Sequence, residues 1–416
     1  MHPVFPPRRA ERALDLLNFV LADVRYGLGP YGIIYLISVH GWTEAGIALA
    51  FSFGSIAGLV SQTPIGAMVD RVRAKRALAI GALLLVAAAS LAVPLAPDFW
   101  PVAAAGVAGA LANSTLGTVV AAISLGVVGP EGFARRAARN EAFFHGGSAS
   151  VNLAVIALAP VFGIAVVFWL LAGAALLSTV AVLAVPARAI DHDTARGLSP
   201  DGTRRARSQT LRSALLESPG LLAFALCGAL FHMANASMLA LVMQRAARTD
   251  PENAVVLAAA AMIAAQAAMI ATAALAGMRA DRWGRRPFFL AAFAALAVRG
   301  VLYTISDDPV WTVAVQLLDG VGVGVFGALF PVIIADLTRG SGHFNAAQGA
   351  VGTVHGIGGL AGGPISAAWV VWAGYDAAFL ALAAIAAGGG LAFLLTMPET
   401  SNATRGRHHG REENQG

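Results

Sequence analysis

Charge is scarce in this chain. Asp, Glu, Lys and Arg make up 12% of its 416 residues, where a soluble domain carries roughly a quarter, and the mean hydropathy is +0.71. That deficit excludes an ordinary soluble globule and implies an integral membrane protein. Cysteine is scarcer still: Cys227 stands alone, so no internal disulfide forms and nothing depends on an oxidising compartment. Lysine occurs once, at Lys75, against 27 arginines, a coding bias that hints at a GC-rich bacterium. No Walker loop is present for a nucleotide, and no Cys and His spacing suits a resident metal. "GVGVG" falls inside an apolar run and not after a strand. Neither a cofactor nor enzyme chemistry is expected.

What the chain has is long hydrocarbon runs. A helix needs roughly 20 apolar residues to cross about 30 Å of lipid, and breaks at charge, Pro and Gly divide the sequence into twelve such runs. They lie near 13–38, 43–65, 77–96, 99–127, 140–159, 161–185, 215–243, 254–276, 287–305, 309–336, 344–372 and 375–397. Barrel strands would alternate over about ten residues, which these runs do not. The N-terminal "MHPVFPPRRAER" enters the first run without a cleavage site and is expected to be retained.

Arginine and lysine orient the spans. With the N-terminus cytoplasmic, 24 of the 28 basic residues fall inside and only Arg245 and Arg248 fall outside, while Arg25 and Arg299 lie within spans. Cytoplasmic N- and C-termini follow. The net charge of +5 is thereby spread over loops as a topological mark, and no nucleic-acid surface is expected. The expected organisation is a six-helix bundle over 1–185, a cytoplasmic linker over 186–214, a second bundle over 215–398, and a disordered tail over 399–416.

Two charged strings stand 211 residues apart, "GAMVDRVRAKR" from Gly66 and "GMRADRWGRRP" from Gly277. Each falls in the cytoplasmic loop between the second and third spans of its half. In this position they resemble the loop signature G-x-x-x-D-R-x-G-R-[RK] of the major facilitator superfamily. The second copy matches at Gly277, Asp281, Arg282, Gly284, Arg285 and Arg286. The first matches at Gly66, Asp70, Arg71, Lys75 and Arg76, with Arg73 in place of the turn glycine. A small residue lets helices approach closely in lipid, and an Asp at such a place can meet the positive end of a helix. The resemblance implies an all-α membrane fold of 12 transmembrane helices in two pseudo-symmetric bundles. It also implies that these loops act as conformational latches. "PET" at 398–400 is similar to a sugar-porter fragment, and "GGLAGGPIS" is similar to a Gly-Pro pattern of proton-coupled drug exporters, here in the eleventh span and not the fifth.

Ionisable groups within lipid are costly, so each must face protein or water. In the first span Asp23 and Arg25 are two positions, about 200°, apart and cannot share one surface. Glu141, His145, Ser148 and Asn152 form one polar stripe on the fifth span. Asn345, Gln348, Gly352 and His355 form another on the eleventh. His145 and His355 either carry protons as a pair or simply hydrogen-bond between helices. Asn113 in the fourth span, His232 and Asn235 in the seventh, and Gln316 and Asp319 in the tenth complete the candidates for solute or proton. Arg299, in the ninth, either snorkels outward or pairs with Asp319.

The leading expectation is a monomeric secondary active transporter of the bacterial inner membrane, moving a small organic solute by alternating access with proton coupling. A divalent metal exporter is a second reading, since Asp23, Cys227, His232 and His355 resemble ferroportin-like transporters. Cys227 and His232 nonetheless point about 140° apart on a regular helix. A non-transporting membrane sensor is the third, and it would call for a soluble effector domain.

Overall fold

The computed structural model describes residues 8–26, 29–198, 218–249 and 254–401. Its long elements are all helices: α1 (Arg8–Tyr26), α2 (Gly29–His40), α3 (Glu44–Arg71), α4 (Lys75–Leu95), α5 (Phe99–Phe162), α6 (Val166–Ala184), α7 (Pro219–Thr249), α8 (Ala254–Trp283), α9 (Arg286–Leu302), α10 (Pro309–Leu337) and α11 (Phe344–Thr396). Among the described residues, eight helices are long and apolar enough to cross a membrane. At 64 and 53 residues, α5 and α11 are each far longer than one crossing. Each is broken where one glycine leaves helical geometry: Gly129 at φ 72° and Gly374 at φ 85°. Only glycine takes that backbone without strain, and Pro130 then suits the first turn of the next segment. With α1 and α2 forming the first span in two pieces and the 17-residue α9 serving as the ninth, the twelve crossings are accounted for. The helix that carries the fifth span begins at Pro130, ahead of the span expected near 140–159, and Arg135, Arg136 and Arg139 lie within it.

The chain forms two compact units whose boundaries are not those of its halves. Unit 1 comprises Met1–Phe133, Phe143–Ser208 and Thr338–Ala350, and unit 2 comprises Ala134–Ala142, Gln209–Leu337 and Val351–Gly416. The start of the fifth span therefore belongs with the second half of the sequence, and the start of the eleventh with the first.

Within unit 1, α6 packs against α1 and α4. The cluster there buries Leu14, Leu17, Leu83, Val86 and Val182 together with Leu116 and Ile123 of α5, while a second cluster gathers Tyr35, Leu36, Val93, Val102 and Phe168. Within unit 2, α10 packs against α8 and α9, and the "GVGVG" run explains how it is held on two sides. Gly320 and Gly324 lie against α8 at Ala265, Ala268 and Met269, whereas Gly322 lies against Phe231. Small residues thus bring helix backbones together where lipid gives no hydrophobic drive to do so. Phe224, Phe231, Phe289, Phe293, Phe326 and Phe393 fill the rest with edge-to-face and stacked rings.

The start of the linker and the start of the tail are packed. Residues 187–189 and 194–196 of the linker form 3-10 turns, and Asp191 N donates to Gly126 O at 3.0 Å. The tail, expected to lose structure from 399 on, stays buried at Thr400 and Ser401, because Glu399 collects backbone donors around it. Residues 199–217 and 402–416 lie outside the described residues.

Candidate functional site

A buried polar network lies in unit 2, built by α7, α9 and α10. Arg299 is wholly buried, and its Nη1 donates to Asn235 Oδ1 at 3.0 Å and pairs with Asp319. Gln316 Nε2 donates to Asp319 Oδ2 at 3.0 Å, and the Tyr303 hydroxyl donates to Gln316 Oε1. Asp319 lies about 15 Å along α10 from Pro309, at 1.5 Å per residue. Of the two outcomes open to Arg299, the structure shows the ion pair. The guanidinium remains under-used: its Nε and Nη2 find no acceptor among the described residues. Three sequence candidates, Asn235, Gln316 and Asp319, are brought together here. Tyr303 was missed, although it follows Arg299 by four positions and so shares its helix face. Arg245 braces the same region, donating to Tyr303 O at 3.2 Å and pairing with Asp307 and Asp376.

His232 and His355 form a second group in unit 2, their ring centroids 5.1 Å apart. Phe224, Phe326 and Phe330 surround His355, and its Nε2 stands 3.4 Å from Phe224 O. His145, buried, belongs to unit 1. In that unit the Tyr31 hydroxyl donates to Asn152 Oδ1, and Asn152 Nδ2 donates to Ser148 O at 2.8 Å. Asn113 keeps a buried Oδ1 without a partner among the described residues. The side chains of Asp23 and Arg25 lie outside the described residues. Among the described residues no three His, Cys, Asp or Glu side chains converge on a possible metal position.

The two charged loops differ more in structure than in sequence. In the first, Asp70 is buried and accepts from Asn345 N at 3.1 Å, Asn345 Nδ2 at 2.8 Å and Ala346 N at 2.8 Å. It caps the start of α11, where free amides and the helix dipole favour a carboxylate. Asn345 Nδ2 also donates to Ala195 O at 2.9 Å, and Gly340 N donates to Gly197 O at 2.6 Å. Residues 195–197 of the linker thus grip the same turn. Lys75, buried, donates from Nζ to Val69 O at 2.8 Å and Val72 O at 3.2 Å, closing the last turn of α3. Arg71 and Arg73 are exposed.

In the second loop Asp281 is half exposed and meets Arg285 at 3.2 Å, so it does not meet a helix start as Asp70 does. Arg285 is buried and pairs with Asp336. Glu399 accepts from Arg285 N at 2.9 Å and Arg286 N at 3.1 Å, capping α9. Its Oε2 would stand 2.3 Å from a Cβ at Gly284, where φ is also +90°. Arg282 is exposed, and Gly277 lies against Ala138.

Gly66 is a close-approach position: a Cβ there would stand 2.2 Å from Asn345 O and 2.9 Å from Ala346 Cα. Since backbone cannot yield as a side chain does, Gly66→Ala is expected to destabilise by about 1–3 kcal/mol. Gly81→Ala, where a Cβ meets nothing within 4 Å, should leave the thermal midpoint in detergent unchanged. Equal midpoints for the two variants would remove the close-approach argument.

The family model of the Major Facilitator Superfamily matches residues 14–273 and 225–414. Uncharacterised MFS-type transporters from two strains of Mycobacterium tuberculosis are each 48% identical over 394 residues, covering 95% of this chain and 94% of theirs. Among solved structures, the proton:xylose symporter XylE, bound to 6-bromo-6-deoxy-D-glucose, superposes with a TM-score of 0.72 at 12% identity over 94% of this chain and 96% of that one. The human organic anion transporter MFSD10 gives 0.66 at 16% identity, over 93% and 100%.

Proposed function

Because the chain belongs to the major facilitator superfamily, whose members here are transporters and not enzymes, we propose that it is a proton-coupled secondary active transporter. It moves one small organic solute across the bacterial inner membrane by alternating access, as a monomer with both termini cytoplasmic. The observation that carries the coupling is the Arg299 and Asp319 pair with Asn235, Gln316 and Tyr303. An acid held deep in the hydrocarbon is costly, and a proton on Asp319 would release Arg299 from its partner and free its donors. Asp23, Arg25, Asn113, His145, His232 and His355 are the further candidates for solute and proton. Asp70 and Asp281 with their loops act as latches that weight one conformation over another.

Proteoliposomes decide it. Solutes screened against a deletion strain should show flux that follows an imposed pH gradient, with Asp319→Asn retaining exchange while losing the response to that gradient. Flux in the unaltered protein that ignores the gradient would end the proton reading.

A further inference from the structure

An apolar groove of about 350 Å³ runs between the end of α3 and the adjoining faces of α4 and α5 in unit 1. Met68, Val72, Leu78, Gly81, Leu85 and Leu111 line most of it. Thr115 is the one polar side chain in the lining, and its hydroxyl is already spent on Leu111 O at 2.9 Å. Gly81 opens it further, since a Cβ there would meet no atom within 4 Å. From Ala74 to Leu85 the groove follows α4 for about 16 Å at 1.5 Å per residue. That is about half of a 30 Å hydrocarbon core, the depth of one leaflet.

Two exposed basic residues adjoin its α3 end in the chain. Arg71 and Arg73 flank the lining residue Val72 in the chain, both are exposed, and neither has an ion pair or hydrogen bond among the described residues. The nearest acid in sequence, Asp70, is committed to Asn345 and Ala346. Lys75 is turned onto the carbonyls of α3, and Arg76 donates to Leu183 O at 3.0 Å. Two exposed guanidinium groups therefore adjoin, in the chain, a one-leaflet apolar channel, and an anionic headgroup would match their charge.

We propose that this groove holds one acyl chain of an anionic phospholipid, its phosphate on Arg71 and Arg73. The inference rests on the cytoplasmic placement of this loop, since anionic headgroups in that leaflet attract basic segments at the surface. The lipid would sit one residue from the Asp70 cap, fastening the loop that carries it.

Native mass spectrometry of the delipidated full-length protein in detergent tests the site, with phosphatidylglycerol and phosphatidylcholine of identical chains as probes. Phosphatidylglycerol should bind at least roughly tenfold more tightly, as two basic residues warrant. Arg71→Gln with Arg73→Gln should erase that preference. Gly81→Leu, which fills the groove, should weaken both lipids. Equal binding of the two lipids to the unaltered protein would overturn the proposal. So would a preference that survives the double Arg variant, binding indifferent to Gly81→Leu, or glycerol 3-phosphate alone displacing the lipid, which would mean a phosphate site without a chain. Association into a dimer that Gly81→Leu dissociates would mean that a second copy covers the groove. Micelles have no sidedness, so failure here condemns the site and leaves the topology to be tested separately by accessibility labelling of a cysteine placed at Arg73.

Discussion

Asp319→Ala lowers the stability of the protein in detergent by about 3–5 kcal/mol, the scale of removing one member of a buried ion pair. Arg299 is 0% exposed and would keep Asn235 Oδ1 alone as an acceptor, with Nε and Nη2 already lacking one among the described residues. Gln316 Nε2 would lose its acceptor as well. The double variant Arg299→Met, Asp319→Leu should recover most of the loss, because apolar residues of similar volume replace a buried pair at little cost. The measurement is thermal unfolding followed by tryptophan fluorescence, with transport assayed on the same samples. A stable double variant that still transports would make the network structural only. One that is stable and inert would tie the pair to the transport cycle. A single variant no less stable than the unaltered protein would refute the buried-charge argument.

Asp70→Ala should cost about 2–4 kcal/mol and Asp281→Ala less than about 1 kcal/mol, although the second loop matches the family signature better. Asp70 accepts three bonds at the start of α11, and hydrogen bonds to a charged acceptor contribute roughly 1.5–3 kcal/mol each without adding fully. Asp281, half exposed, has its bond with Arg285, and exposed pairs of that kind are worth little. Amide hydrogen exchange reads the difference directly. At Asn345 and Ala346 it should accelerate at least roughly tenfold in Asp70→Ala and stay unchanged in Asp281→Ala. Equal acceleration in both variants, or none in either, would contradict the asymmetry.

The spans were legible because lipid imposes one rule along the whole chain: about 20 apolar residues, then charge. The same rule does not mark where a helix begins. Arg135, Arg136 and Arg139 announce the membrane's edge, but they do not stop a helix, and the helix had already begun at Pro130. The candidate site was half legible. Asn235, Gln316 and Asp319 stood out as polar residues in apolar surroundings, and Gln316 and Asp319, three positions apart on α10, share a face and a hydrogen bond, whereas nothing in the spacing said that Asn235 on α7 joins them, which it does through Arg299 on α9. Tyr303 was masked by its aromatic ring, which passes for an interface residue near a helix end. Glu399 was masked by its place beyond the last span, where sequence offers no reason for an acid to be held by two backbone amides of a loop more than a hundred residues earlier.

The exchange of segments between the units changes what a half of this protein is. Residues 134–142 fold with the second unit and 338–350 with the first, so the chain passes between units within each of its two longest helices as well as through the linker. A cut in the linker would divide the sequence and leave both folded units divided. Each fragment would carry a piece that its counterpart lacks, and neither would be a finished object until the two had found one another.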